Sequence, residues 1–216
     1  SLKTPTNPLD DPTADPFAIA AAAAAEIAER TGVERHDIAL TLGSGWAKAA
    51  DLIGETTATI PAFEITGFSK PALEGHVGTL RSVLLPSGKR ALVIGARTHY
   101  YEQHGVRRVV HSVRTAAATG ATTMILTNGA GGIRETWKPG TPVIISDHIN
   151  LTADSPLEGA TFIDLTDLYS KRLRDLARGA PLNDARRRML AQLRFPAEIT
   201  PQRVRETLPT GVSGSA

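Results

Sequence analysis

The chain has no cysteine among its 216 residues, only two methionines and two tryptophans, and 5% aromatic residues in all. Without a thiol there is no disulfide framework, no cysteine nucleophile and no thiolate-bound metal. Long apolar runs are also lacking. The alanine-rich stretch at residues 18–25 is cut at Glu26 and follows an acidic, proline-rich leader, so it has neither the length of a membrane span nor the basic flank of a secretory signal. These absences point to a cytoplasmic protein with no membrane partner. No G-x-x-x-x-G-K-[ST] occurs, so nothing here predicts binding of a nucleoside triphosphate. No H-x-x-x-H pair occurs either. Asp147-His148 is the one metal-like pairing, and neighbours in extended chain point to opposite sides, so no metal is expected.

What is present alternates between strand and helix patterns over a length sufficient for a sizeable core, and this reads as an α/β protein. A helix is expected from Asp15-Pro16, a cap followed by proline in the first turn, to Arg30, with a stop at Gly32. Asp37 to Leu42 reads as a short buried strand that runs into Gly43-Ser44-Gly45, with helical sequence from Trp46 to Ala50. A second apolar run, Ala91 to Gly95, leads into Arg97, His99, Tyr101 and Glu102. A helix is expected over Val106 to Ala118, and a third strand, Thr122 to Thr127, enters Asn128-Gly129-Ala130-Gly131-Gly132.

These strand-to-turn junctions carry the candidate chemistry. Residues two apart in extended chain share a face, so Arg97, His99 and Tyr101 can converge on one ligand. Arginine offers a planar fork of donors, histidine a donor tunable near neutral pH, and tyrosine an apolar face with a hydroxyl tip, a set that suits an oxyanion. The same alternation also describes the solvent face of an edge strand. Gly43-Ser44-Gly45 can cradle a phosphate, because glycines let the backbone approach and a following helix end offers unpaired N–H groups. Dinucleotide binding is the competing reading of that turn, with Glu64 as the ribose-binding acid. It fails at Lys48, which stands where the third glycine of the fingerprint is needed for close helix–strand packing.

LGSG at 42–45, GHVG at 75–78, ARTHYYE at 96–102, LTNGAGG at 126–132 and SDHINLT at 146–152 occur in the order and approximate spacing of the trimeric purine nucleoside phosphorylases, and residues 16–178 resemble that family. The resemblance implies a mixed central β-sheet flanked by helices. It implies phosphate binding by Ser44, His76, Arg97, His99 and the backbone of Asn128-Gly129, with Gly129 standing where the family commonly has alanine. His99 and Glu102 are the implied catalytic pair, Glu102 orienting the histidine. Tyr101 is implied to pack on the ribose, and Phe162 to reach into the neighbouring subunit of a homotrimer. The implied activity is that of a glycosyltransferase of purine salvage, the phosphorolysis of inosine and guanosine to free base and ribose 1-phosphate. Orthophosphate is the co-substrate and no cofactor is called for. The wording of ARTHYYE and LTNGAGG is closer to this activity than to the methylthioadenosine phosphorylases of the same family.

After Arg178 the resemblance stops, and the protein reads as C-terminally incomplete relative to the family. The purine-reading glutamate, a Met-Ser pair and a base-binding asparagine have no counterpart. Aligning Pro196-Ala197-Glu198-Ile199 with the family puts Arg194 where that glutamate belongs. Charge separates the parts independently. Residues 1–170 hold 14 basic and 18 acidic side chains, a net of −4, and residues 171–216 hold 10 and 4, a net of +6. The expected organisation is a flexible leader at 1–14, an α/β domain at 15–178 and an atypical basic tail at 179–216. Arg186-Arg187-Arg188 lacks interleaved aromatics, so no nucleic-acid partner is expected. A catalytically dead phosphate-binding remnant, or an interaction partner lending Phe162 to a complete subunit, are the alternatives to an active enzyme. His36, His104 and His111 need no catalytic role.

Overall fold

The computed structural model describes residues 7–43, 46–70 and 78–179. The chain divides into two compact units, the first running up to residue 128 and including 152–161, the second comprising 129–151 and the chain from 162 onward.

The first unit is built on five strands, β1 (Ile38–Thr41), β2 (Glu55–Pro61), β3 (Thr79–Leu84), β4 (Arg90–Ile94) and β5 (Thr123–Leu126). They form one mixed sheet in the order β2-β3-β4-β1-β5. β1 is parallel to both β4 and β5, while β2–β3 and β3–β4 are antiparallel. The reason β4 reads as a continuous apolar run lies in its position. Successive side chains of a strand point to opposite faces, and here both faces are covered. Leu92 and Ile94 join Ala39, Ile60 and Leu80 beneath Ala23 and Ile27 of α1 (Pro16–Thr31) and Ala116, which belongs to the helix Val106–Ala118. Ala91 and Val93 pack on the other face with Val83, Leu42 and Ala50, the last of which begins α2 (Ala50–Ile53). The helix Val106–Ala118 is α3. The sheet is thus mixed and flanked by helices, as the family resemblance implied.

Helix α1 starts and stops where its sequence says. Asp15 accepts a hydrogen bond from Phe17 N at 2.8 Å, Pro16 occupies the first turn, and Gly32 closes the helix in the left-handed region at φ +68° with its N–H bonded to Ala28 O. Of the flexible leader expected at 1–14, residues 7–14 are described, and they pack on the unit. Leu9 is buried, Asn7 Nδ2 donates to Gly67 O at 3.0 Å, and Arg107 of α3 donates to the carbonyls of Asp11, Pro12 and Ala14. Composition marks that segment as polar, and the seat comes from arginines far along the chain. The same Arg107 forks onto Glu158 and holds that carboxyl below its usual range, and Arg114 donates to Pro156 O. Arg108 pairs with Asp10. Exposed pairs of this kind are worth about 0–1 kcal/mol each, against about 1.5–3 kcal/mol for each fully buried aliphatic side chain, so the core outweighs them.

In the second unit, α4 (Lys171–Gly179) carries Lys171, Asp175 and Arg178 as paired charges on its surface. Arg134 lies over the Trp137 ring, and His148 Nδ1 bonds Tyr169 Oη at 2.9 Å. Asp147 accepts from the His148 N–H, so both members of that sequence pair are engaged locally.

His36 sits just before β1, fully buried, with Nε2 at 3.0 Å from Ser82 Oγ. Burial, reinforced by the charge of Arg90 and opposed by Asp37, pushes its pKa down to about 4. An unfolded histidine titrates near 6.5, so between these values the unfolded chain binds a proton that the folded one does not, and stability rises with pH across the window. The contribution is complete above about pH 6.5 and is lost as the pH falls toward about 4, with a ceiling of about 3 kcal/mol. Urea midpoints at about pH 7 and about pH 4.5 are expected to differ less in His36→Gln than in the parent.

Candidate functional site

The parallel pairings decide which turns meet. Thr41 is opposite Ile94 in β4 and opposite Leu126 in β5, so the chain leaves three adjacent strands at one edge of the sheet. Leu42-Gly43, Gly95 to Arg97, and Thr127-Asn128 emerge there side by side. The exits are cross-linked: Leu42 N donates to Ile94 O at 3.0 Å, Thr127 N to Thr41 O at 3.2 Å, and Thr127 Oγ1 to the same carbonyl at 2.6 Å. The carboxyl ends of adjacent parallel strands are where α/β sheets take their ligands.

Four sequence-selected residues gather at the β4 exit. The strand ends at Ile94, and Tyr100–Glu102 form a 3-10 turn, so Arg97, His99 and Tyr101 are not held by strand alternation as their spacing suggested. The turn brings the rings together instead. His99 and Tyr101 stack with centroids 4.8 Å apart and planes 15° from parallel. β4 lies between β3 and β1, which removes the edge-strand reading of this stretch.

Glu102 fixes His99 from two directions. Its Oε1 accepts from the His99 backbone N–H at 2.8 Å and lies 2.8 Å from the ring Nδ1. A carboxylate can only accept, so Nδ1 carries the proton and Nε2 is the nitrogen available for a ligand. Partial burial pulls the Glu102 pKa upward, but the bonds from His99 and the charges of His99 and His104 prevail and hold it below the usual range. His104 Nε2 stands 3.8 Å from Oε2. Tyr101 is 77% exposed, with one ring face covered by the imidazole and a broad apolar surface open to a ligand.

Arg97 Nη1 donates to Thr127 O at 3.2 Å, linking the β4 and β5 exits. Asn128 is exposed at the end of the first unit, whereas Gly129 and Phe162 belong to the second, where Phe162 is 92% exposed. Ser44 and His76 lie outside the described residues. His36 and His111 are buried away from this edge, His111 Nε2 donating to Thr66 O at 2.9 Å. Sequence reasoning gave Thr127 no part. It stands one residue before the selected Asn128, and only the pairing of β5 with β1, which no local pattern encodes, shows what its backbone holds.

A family model described as the phosphorylase superfamily matches residues 37–199, extending past Arg178. The purine nucleoside phosphorylase of Cellulomonas sp is 62% identical over 176 residues, covering 80% of this chain and 62% of that protein. That of Mycobacterium tuberculosis is 52% identical over 170 residues, covering 79% and 63%. The chain therefore spans about three fifths of the length of these curated relatives. Among solved structures, Schistosoma mansoni purine nucleoside phosphorylase in complex with inosine is similar at a TM-score of 0.65 and 30% identity, over 74% of this chain and 58% of that one.

The double hold of Glu102 on His99 has a measurable consequence. In Glu102→Ala the His99 amide loses its acceptor, and one hydrogen bond of about 1 kcal/mol corresponds to roughly fivefold faster exchange with solvent. Amide exchange followed by NMR checks this; an unchanged rate means that the bond does not hold the turn.

Proposed function

The chain belongs to the phosphorylase superfamily, and on that premise we propose that it binds orthophosphate at the exits of β1, β4 and β5 and uses it to cleave purine ribonucleosides, inosine and guanosine, to free base and ribose 1-phosphate. The observation that carries the proposal is that three adjacent parallel strands end at one level, with Arg97 and an oriented His99 following one of them.

The chemistry follows from these groups. A phosphate oxygen forms a bond to the anomeric carbon while the bond from that carbon to the purine nitrogen breaks, and the base leaves with the bonding pair and takes up a proton. The sugar becomes oxocarbenium-like on the way, so an anion fixed beneath it is both nucleophile and counter-charge. Arg97 supplies permanent positive charge and donors. With Nδ1–H held by Glu102, His99 Nε2 accepts the hydrogen of a protonated phosphate or, as imidazolium, donates to an ionised one. The backbone amides of Asn128-Gly129 and the side chains of Ser44 and His76 belong to the set only as what the family resemblance implies. The Tyr101 ring offers its open face to the ribose. Positioning and preorganised charge supply the catalysis, with no covalent enzyme intermediate, no metal and no further cofactor. The same reading makes the protein a cytoplasmic homotrimer, in which the exposed Phe162 is received by a neighbouring subunit's site.

Release of hypoxanthine from inosine by the pure 216-residue protein is expected to require phosphate. Absence of release at every phosphate concentration, with phosphate still bound, would leave a phosphate-binding protein and overturn the enzymatic reading. Arg97→Ala is expected to weaken phosphate by about tenfold to several hundredfold, since charge-assisted bonds contribute about 1.5–3 kcal/mol. Isothermal calorimetry with inorganic phosphate measures it, and unchanged affinity would remove Arg97 from the site.

A further inference from the structure

We infer that Gly43 and Thr127 are positioning residues for Arg97, forming a seat that fits its guanidinium only because position 43 has no side chain. The inference rests on Arg97 being a phosphate ligand and adds two residues to which neither the motif reading nor the family resemblance gave this role.

A methyl group built on Gly43 would lie 2.7 Å from Arg97 Nε, 2.8 Å from Nη2 and 2.9 Å from Cζ. Three atoms of one rigid, planar head are approached almost equally, so no rotation about a terminal bond relieves the overlap and the whole head must shift. The obstructed group is nonetheless the far end of a flexible side chain, and no backbone atom is among the three. The consequence of a methyl therefore falls on where the guanidinium sits, while the fold is spared. Gly54 is the contrast, since a methyl there would meet Leu84 O at 2.2 Å and push on the backbone of β3.

The other wall of the seat is the Thr127 carbonyl, which accepts from Arg97 Nη1 at 3.2 Å. That carbonyl is itself held. Thr127 donates both its N–H and its hydroxyl to Thr41 O, at 3.2 Å and 2.6 Å, so the residue that bears the carbonyl is tied to the end of β1 two residues before Gly43. Gly43 and Thr127 thus belong to two exits of one cross-linked edge, and the arginine of the third exit is held between them. A planar fork aims its donors only as well as its plane is fixed. A displacement on the order of 1 Å is enough to forfeit oriented binding.

The test compares phosphate affinity with stability. Gly43→Ala is expected to weaken inorganic phosphate by about tenfold or more in calorimetry while its Tm stays within about 2 °C of the parent. Thr127→Val, which removes the hydroxyl tie and keeps the side-chain shape, is expected to weaken phosphate by about threefold to tenfold. In an Arg97→Lys background, where no planar head meets position 43, each change is expected to alter phosphate affinity by less than about twofold, the non-additivity of residues acting through one group. Persistence of the full Gly43→Ala loss in that background would assign the glycine to the turn's own amides and overturn the inference. Parent-like phosphate binding by Gly43→Ala would overturn it too, as would a collapse of its Tm, which would place the overlap on the fold. If Thr127→Val binds phosphate like the parent, the second wall is refuted. Should Arg97→Ala itself bind phosphate like the parent, the reading of the site falls and this inference with it. A loss in Arg97→Ala without one in Gly43→Ala refutes the seat alone.

Discussion

β1 lies between β4 and β5, with Thr41 opposite Ile94 on one side and Leu126 on the other, and this register holds the carboxyl ends of three strands at one level. Pairing fixes more than the sheet. A slip of one residue in either ladder would invert the side chains of a strand and move its exit by about 3.3 Å, more than a hydrogen bond between exits tolerates. The two faces of β4 guard against such a slip, because Ala91 and Val93 fill one layer and Leu92 and Ile94 the other, so volumes matched on one face would be mismatched on the opposite one. The aliphatic core of the first unit thereby sets distances between polar groups that never touch it.

Rigid strands bring the turns close, and short-range bonds then tune each one. At the β4 exit, Glu102 selects the histidine tautomer and Tyr101 covers one face of the ring. At the β5 exit, Thr127 ties its peptide to β1. Elsewhere in the unit, α3 uses Arg107, Arg108 and Arg114 to dock residues 7–14 and 152–161, two segments far apart in sequence. The ion pairs that accompany them, Arg107–Glu158 and Arg108–Asp10, are exposed, so salt weakens them more readily than it weakens the sheet. The first unit therefore combines a core insensitive to ionic strength with a periphery that responds to it.

Sequence patterns located elements well and their mutual placement poorly. Asp15, Pro16 and Gly32 mark the ends of α1 because capping is local chemistry, and the apolar run Ala91 to Ile94 marks β4 because burial on both faces removes polar residues. The helix expected over Val106 to Ala118 is α3. The family of the chain was legible in five motifs taken together. Arg97, His99 and Tyr101 were grouped on the assumption of an extended chain, whereas a 3-10 turn stacks two of the rings. The role of the Thr127 peptide depends on a parallel ladder formed across more than eighty residues of intervening chain, and the closeness of Gly43 to Arg97 depends on the neighbouring ladder. Neither leaves a local trace. The seat of residues 7–14 was hidden likewise, since its bonds come from α3.

The buried His36 ties the folding of this protein to its solvent. Between about pH 4 and about pH 6.5, each chain that folds ejects a proton from that ring into the medium. A buffer must take up the proton, and buffers differ in their heat of ionisation. The enthalpy of unfolding measured in that interval therefore includes a contribution from the buffer, and two laboratories using different buffers at one pH would record different heats for the same molecular event.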